Sequence, residues 1–331
     1  MKAILCREHG GPERLVFEEV PSPTPGPGEV VVLVRAASLN FPDVLIIQNK
    51  YQVKPPLPFS PGSEMAGVVK SVGTGVTGFT PGDRVMGITT YGAFAEEVKV
   101  PASRLARVPP GMDFDVASAF LLTYTTSDLA LVDRGSLVAG EWLLVLGASG
   151  GVGIAAIEIG RAVGARVIAC ASSDDKLALC REHGADATIN YVSEDVRERI
   201  RAIAGDGVDV VYDAVGGEYT EPALRSLRWR GRLLVVGFAA GEIPKIPINL
   251  ALLKGCSIVG VNVGGYVERE PARFAQRIEQ MGRWYAEGKL RPAVSETLPL
   301  EQAPDAMGRM AARQTKGKIV LVPELGGQTP V

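Results

Sequence analysis

The sequence has almost nothing with which to hold a metal. Its 331 residues include two histidines, His9 and His183, and four cysteines, Cys6, Cys170, Cys180 and Cys256, which lie far apart and form no CxxC pair. Neither a zinc knuckle nor a disulfide framework is indicated, so these six side chains read as packing and surface residues and no metal is expected. A surplus of charge is missing too: the formal net charge is −2, which gives no electrostatic reason for nucleic acid or an anionic membrane to be the main partner. Long hydrophobic runs are also absent. Stretches such as "VVVLVRAASL" are about half the length of a membrane span, and the N-terminal "MKAILCREHG" reaches a charge and a glycine too soon for a secretory signal. A cytoplasmic protein is expected.

What is present is the balance of a soluble globular chain, 46% hydrophobic and 22% charged, long enough for two domains. Up to about residue 120, Val-rich runs ("GEVVVLVRAASL", "EMAGVVKSVG", "GAFAEEVKVP") alternate with Gly/Pro-rich turns, which predicts a largely antiparallel, barrel-like unit. From about residue 140 the rhythm becomes strand, helix, strand ("WLLVL", "GVGIAAIEIGRAVGA", "RVIACA", "DDKLALCREHGA"), as in a doubly wound parallel α/β domain. After residue 264 come a long amphipathic helix, the strand "KGKIVLVP" and a Gly/Pro tail expected to be disordered. These last residues are too few for a third domain. The expected organisation is therefore 1–122, an inserted α/β domain at 123–264, and 265–331 returning to complete the first.

Between "WLLVL" and the following helix lies "GASGGVG", Gly147 to Gly153. A strand, a glycine loop and a helix N-terminus are what a pyrophosphate needs, because the first turn offers free N–H groups and the positive end of the helix dipole. Gly150 would let the backbone approach the phosphates and Gly153 would let helix and strand pack closely; Ala148 replaces the usual first glycine. Ala148, Ser149, Gly150, Gly151 and Val152 are thus candidate cofactor contacts. A free ribose 2′-OH is usually met by an acid about 20 residues on. That count reaches Ala171 and Ser172, neither acidic, and the next residues, "SSDDK", bring hydroxyls and Lys176. NADPH is favoured over NADH, with Asp174 and Asp175 read as helix-start residues.

Together with "PGSEMAGVVKSVG" and "GDRVMG", the stretch "GASGGVGIAAIEIGRAVGARVIACASS" resembles the quinone oxidoreductase branch of the medium-chain dehydrogenase/reductase superfamily. The resemblance spans nearly the whole chain. It implies a mainly β GroES-like catalytic domain with an inserted Rossmann domain, NADPH as cofactor, and a homodimer formed through the Rossmann sheets. Positions that carry zinc ligands in related alcohol dehydrogenases are matched by Asn40, Ser63 and Leu122, which make no zinc site. The same matching assigns the 2′-phosphate to Ser172, Lys176 and Tyr191 and a cofactor contact to Arg313. It puts Asn40, Asp43, Tyr51 and Thr126 around the nicotinamide and substrate. Leu45 and Asp128 depart from the branch, where aromatic residues are common, and leave the size and polarity of the substrate site open.

With no metal to polarise a carbonyl, an acceptor that needs less help is indicated: hydride added to a quinone or enone leaves a delocalised enolate. Asn40 and Tyr51 are the candidate donors to the acceptor oxygen, each worth about 2 to 4 kcal/mol in the transition state, with the proton coming from water or Tyr51. Packing for Tyr51 and turn chemistry for Asn40, which precedes the pre-proline Phe41, remain open. Asp43 is read as structural and paired with a cation. An enoyl-thioester or alkenal reductase is the alternative enzyme, and a non-catalytic structural or RNA-binding protein the alternative outside catalysis. The Tyr-x-x-x-Lys match in "YAEGK", Tyr285 to Lys289, reads as the end of a helix rather than as a short-chain dehydrogenase pair.

Overall fold

A computed structural model of the chain describes residues 1–324; the Gly/Pro tail lies outside the described residues. The chain forms two compact units, Met1–Leu122 together with the segment from Pro292 onward, and Thr123–Arg291.

The first unit is built on one central strand, Glu29–Ser38, whose β-branched run "VVV" suits a fully covered position. It pairs antiparallel with Glu64–Val72, Glu97–Pro101 and Lys318–Val322. Val30, Val32 and Val34 are consequently fully buried in a core shared with Met65, Val85, Phe94 and Ile319. Each such aliphatic side chain contributes about 1.5 to 3 kcal/mol by leaving water. The sheet is antiparallel except where Val294–Pro299 runs parallel to Lys318–Val322. Through that pair the end of the chain completes the sheet begun by its start.

The second unit carries a six-stranded, all-parallel sheet in the order Ala187–Asn190, Arg166–Ala171, Trp142–Leu146, Val208–Asp213, Leu227–Val235, Ser257–Gly260. Strand order reverses at Trp142–Leu146, so the loop that follows it stands at the topological switch point, where doubly wound sheets bind ligands. Helix Gly151–Val163 covers the sheet and buries an acidic side chain, Glu158, which accepts 2.6 Å from Tyr124 Oη and 2.8 Å from Arg291 N, with His183 Nδ1 at 2.6 Å. His183 is thereby a network residue rather than simple packing.

The second unit runs to Arg291, past the boundary expected after residue 264. The amphipathic stretch forms helix Pro271–Ala286, preceded by the shorter helix Val263–Arg269, and is tied within this unit by Arg277 to Asp128 and by Arg273 to Asp133. Those partners lie some 140 to 150 residues away, so amphipathicity alone could not show which unit the helix covers. Tyr285 sits in the last turn, Lys289 pairs with Glu287, and Gly288 (φ +71°) ends the helical run.

Candidate functional site

In the second unit the glycine loop can be tested residue by residue. Gly147 adopts φ +70°, and a Cβ on Gly153 would lie 2.4 Å from Gly147 O and 2.6 Å from Ala148 C. Both glycines are therefore demanded by the protein itself. Gly150 is different: its φ is −79°, and the nearest protein atom to a Cβ there is Gly147 O at 3.6 Å. Nothing in the protein requires a glycine at 150. What the missing side chain leaves is a clear approach to the N-terminus of a 13-residue helix, whose first N–H groups have no helical partner. This fits a pyrophosphate. Ala148 is scaffold: it is fully buried, and its N–H donates 3.0 Å to Cys170 O.

The next strand, Arg166–Ala171, ends in the buried Ala171, with Ser172 beyond it. Lys176 Nζ donates 3.2 Å to Ser172 Oγ, so hydroxyl and ammonium stand together at the strand's end. Asp174 accepts from Asn190 Nδ2 and Asp175 from the Ser173 hydroxyl, and both occupy the first turn of helix Asp174–Glu182. Tyr191 N donates to Ala171 O, and the Tyr191 ring lies 4.5 Å from that of Tyr219. Thr126, buried, precedes Ser127, whose hydroxyl donates 2.8 Å to Val152 O and lies 2.9 Å from Tyr212 Oη.

Two residues here escaped the sequence reading. Tyr219 is one. Asp213 is the other: it is buried, its Oδ1 accepts from Val215 N and Gly216 N, and its Oδ2 accepts 2.6 Å from Thr220 Oγ1. It shapes the loop after the fourth strand, where Gly216 and Gly217 have φ of +71° and +61°. The pattern "DAVGG" was the available signal, an Asx-type acceptor before two turn glycines.

In the first unit Asn40 caps helix Phe41–Ile47, with Pro42 in the first turn and the Asn40 N–H donating 2.8 Å to Asp43 Oδ2. The Asn40 carboxamide is committed on both sides. Its Oδ1 accepts 2.6 Å from Lys318 Nζ, while Nδ2 donates to Ser38 O at 3.2 Å and Glu64 Oε2 at 3.3 Å. Lys318 Nζ also donates to Leu39 O at 2.9 Å and lies 3.5 Å from Glu64 Oε2. Glu64 Oε1 accepts 2.6 Å from Leu122 N and Oε2 accepts 2.8 Å from Ser38 Oγ. Asp43 and Glu64 are 0% exposed and Lys318 4%.

Burial pushes the Asp43 carboxyl up to about 7, against the pull of the Asn40 N–H, the Ser63 hydroxyl and the Lys318 ammonium. Ser63 is near enough to favour the charged form, yet neither its Oγ nor Asp43 Oδ1 finds a partner in hydrogen-bond geometry. Burial likewise raises Glu64 and lowers Lys318. Tyr51, half-buried, is raised first by burial and then by the charge of Asp43. Among the described residues no ion pair joins Asp43 to a cation: the Lys318 ammonium acts on it only through space and lies 3.5 Å from Glu64 Oε2 instead. Lys318 was missed, because a lysine in "KGKIVLVP" carries no signal of full burial.

Arg313, exposed with φ +58°, follows helix Ala303–Ala311 in the first unit. Asp128 is buried and paired bidentately with Arg277 at 2.8 and 2.5 Å. Among the described residues no group of three or more His, Cys, Asp and Glu side chains could hold a metal ion, and no helix is long and apolar enough to cross a membrane.

Known proteins carry the same arrangement. Residues 26–110 match the alcohol dehydrogenase GroES-like domain and residues 151–281 the zinc-binding dehydrogenase family. Quinone oxidoreductase-like protein 2 of Mus musculus is 37% identical over 97% of this chain and 91% of its own length. The quinone oxidoreductase of Pseudomonas aeruginosa is 35% identical, covering 97% and 99%. The crystal structure of Escherichia coli quinone oxidoreductase complexed with NADPH superposes with a TM-score of 0.91 at 30% identity, covering 98% of this chain and all of the other. A GroES-like unit interrupted by a Rossmann unit is the architecture of medium-chain dehydrogenases/reductases, a class of oxidoreductases. Within that superfamily the chain belongs to the quinone oxidoreductase branch, whose members do without zinc.

Proposed function

We propose that this chain is a reductase that uses NADPH to reduce a quinone or another α,β-unsaturated carbonyl. The observation that carries the reading is Gly150, a glycine the protein does not need, at the head of a helix, with Ser172 and Lys176 where an acid would select NADH. The E. coli relative's NADPH complex supports it. When bound, NADPH supplies a hydride for the conjugated carbon of the acceptor. The pyrophosphate would be received by the amides of Gly151 and Val152 beside Ser149 and Gly150, and the 2′-phosphate by Ser172, Lys176 and Tyr191, with Thr126 as a further contact.

Tyr51 is the donor to the acceptor oxygen, because burial keeps its phenol protonated at neutral pH. Asn40, its amide engaged on both sides, holds the site's geometry instead of donating. The test is NADPH oxidation measured over quinones, enones and enoyl-CoAs. Turnover with quinones or enones is expected; turnover confined to enoyl-CoAs would move the substrate to thioesters, and failure to bind NADPH would remove the reading.

Lys176→Ala should weaken NADPH by about 10- to 100-fold, the worth of one charge-assisted phosphate contact, while barely changing NADH affinity. Fluorescence titration with both nucleotides checks this.

The active form is proposed to be a cytoplasmic homodimer joined through the second unit. Strand Ser257–Gly260 is the sheet's last, with one side unpaired, and near it in sequence Ile248, Leu252 and Leu253 are 76%, 81% and 70% exposed. Leu252→Glu combined with Leu253→Glu is expected to give a monomer in sedimentation velocity, where the unaltered chain sediments as a dimer.

A further inference from the structure

Apart from Glu97, which pairs with Lys70, the first unit buries three charged side chains, two negative and one positive, from three elements: Asp43 on helix Phe41–Ile47, Glu64 at the head of strand Glu64–Val72, and Lys318 at the head of strand Lys318–Val322. Burying all three in charged form would leave one negative charge uncompensated, at a cost of several kcal/mol. Hydrogen bonding shows where the compensation falls. Glu64 is surrounded by donors, from Leu122 N, Ser38 Oγ and Asn40 Nδ2, with the Lys318 ammonium beside it, as an ionised carboxylate requires. Asp43 has one donor, the Asn40 N–H on Oδ2, and its buried Oδ1 has no partner. A buried anionic oxygen without a donor is far costlier than a neutral carboxyl.

We propose that Lys318 is a positioning residue of the reductase site: its ammonium clamps the Asn40 carboxamide and balances a charge cluster in which Glu64 is ionised and Asp43 carries a proton. The assignment rests on the reductase reading only in naming the site these residues serve. The titratable groups that face Asp43 are Glu64, Lys318 and Tyr51; Ser63 and the Asn40 amide are neutral. The consequence for Tyr51 is electrostatic. An ionised Asp43 makes the phenol harder to deprotonate, so the proton on Asp43 makes Tyr51 the better acid, and turnover falls as pH rises through the Asp43 midpoint.

The test is a pH titration by infrared difference spectroscopy, which sees a protonated buried carboxyl directly and needs no turnover. The unaltered protein should lose one such band between roughly pH 5 and 9. Asp43→Asn should lack the band. Lys318→Met, which removes the ammonium, should shift the midpoint up by about 1 to 3 pH units, and Lys318→Arg should bring it back toward the original value. If Lys318→Met does not fold, Glu64→Gln replaces it and should move the midpoint down, because a like charge is removed. A band that is absent from the unaltered protein, survives Asp43→Asn, or keeps its midpoint in the folded charge variant would overturn the assignment. NADPH titration of the same samples separates the two readings: a protein that shows the Asp43 band but binds no NADPH loses the reductase function and keeps the charge cluster.

Discussion

Gly150→Ala is expected to separate cofactor binding from folding. The added methyl would lie no closer than 3.6 Å to any protein atom outside its own residue and its two chain neighbours, and φ −79°, ψ 168° is open to alanine. The cost to stability is that of an alanine at a helix N-cap, about 1 kcal/mol or less. In a pyrophosphate cradle, by contrast, the same methyl occupies the line along which the phosphates reach the helix N-terminus. NADPH affinity should fall at least tenfold, about 1.4 kcal/mol, with circular dichroism and thermal midpoint close to those of the unaltered protein. Gly153→Ala provides the contrast, since its Cβ would meet backbone atoms at 2.4 and 2.6 Å; it should lose stability along with binding. Equal NADPH affinity in the folded Gly150→Ala protein would sink the assignment of this loop.

Asp43→Asn is expected to stabilise the protein, in a pH-dependent way. In the unfolded chain Asp43 releases its proton near 3.8, whereas in the folded protein it keeps it to about 7. Between those values the native state binds the extra proton, so this group's contribution is fully favourable below about 4 and is lost as pH rises toward 7. Three pH units correspond to about 4 kcal/mol. Asparagine keeps an oxygen for the Asn40 N–H and carries no charge to bury. The variant should match the unaltered protein near pH 4 and exceed it by a few kcal/mol at pH 8, measured by urea unfolding at both values. A difference that does not grow with pH would contradict a raised Asp43.

The second unit was the more legible half of the fold. Buried parallel strands read as continuous apolar runs and their crossovers as amphipathic helices, and both patterns are local. "WLLVL" and "RVIACA" appear as strands Trp142–Leu146 and Arg166–Ala171, and the glycine loop stands between strand and helix as its spacing required. The boundary near residue 264 was not legible. A helix with one apolar face says that it is covered, not by what, and the ion pairs of Arg273 and Arg277 with Asp133 and Asp128 join residues about 140 to 150 apart.

The sequence by itself determined the nucleotide side of this protein: a strand, a glycine loop and a helix, no acid at Ala171 or Ser172, and Lys176 one helical turn beyond Ser172. These relations span at most about 30 residues, and such spacings are set by backbone geometry. Only the tertiary structure decided the charge cluster. Asn40, Asp43, Glu64 and Lys318 are brought together by pairing strand Glu29–Ser38 with Glu64–Val72 on one side and Lys318–Val322 on the other. Whether a lysine or a carboxylate is solvated or buried depends on what packs over it, and for Lys318 and Asn40 the partners are 278 residues apart.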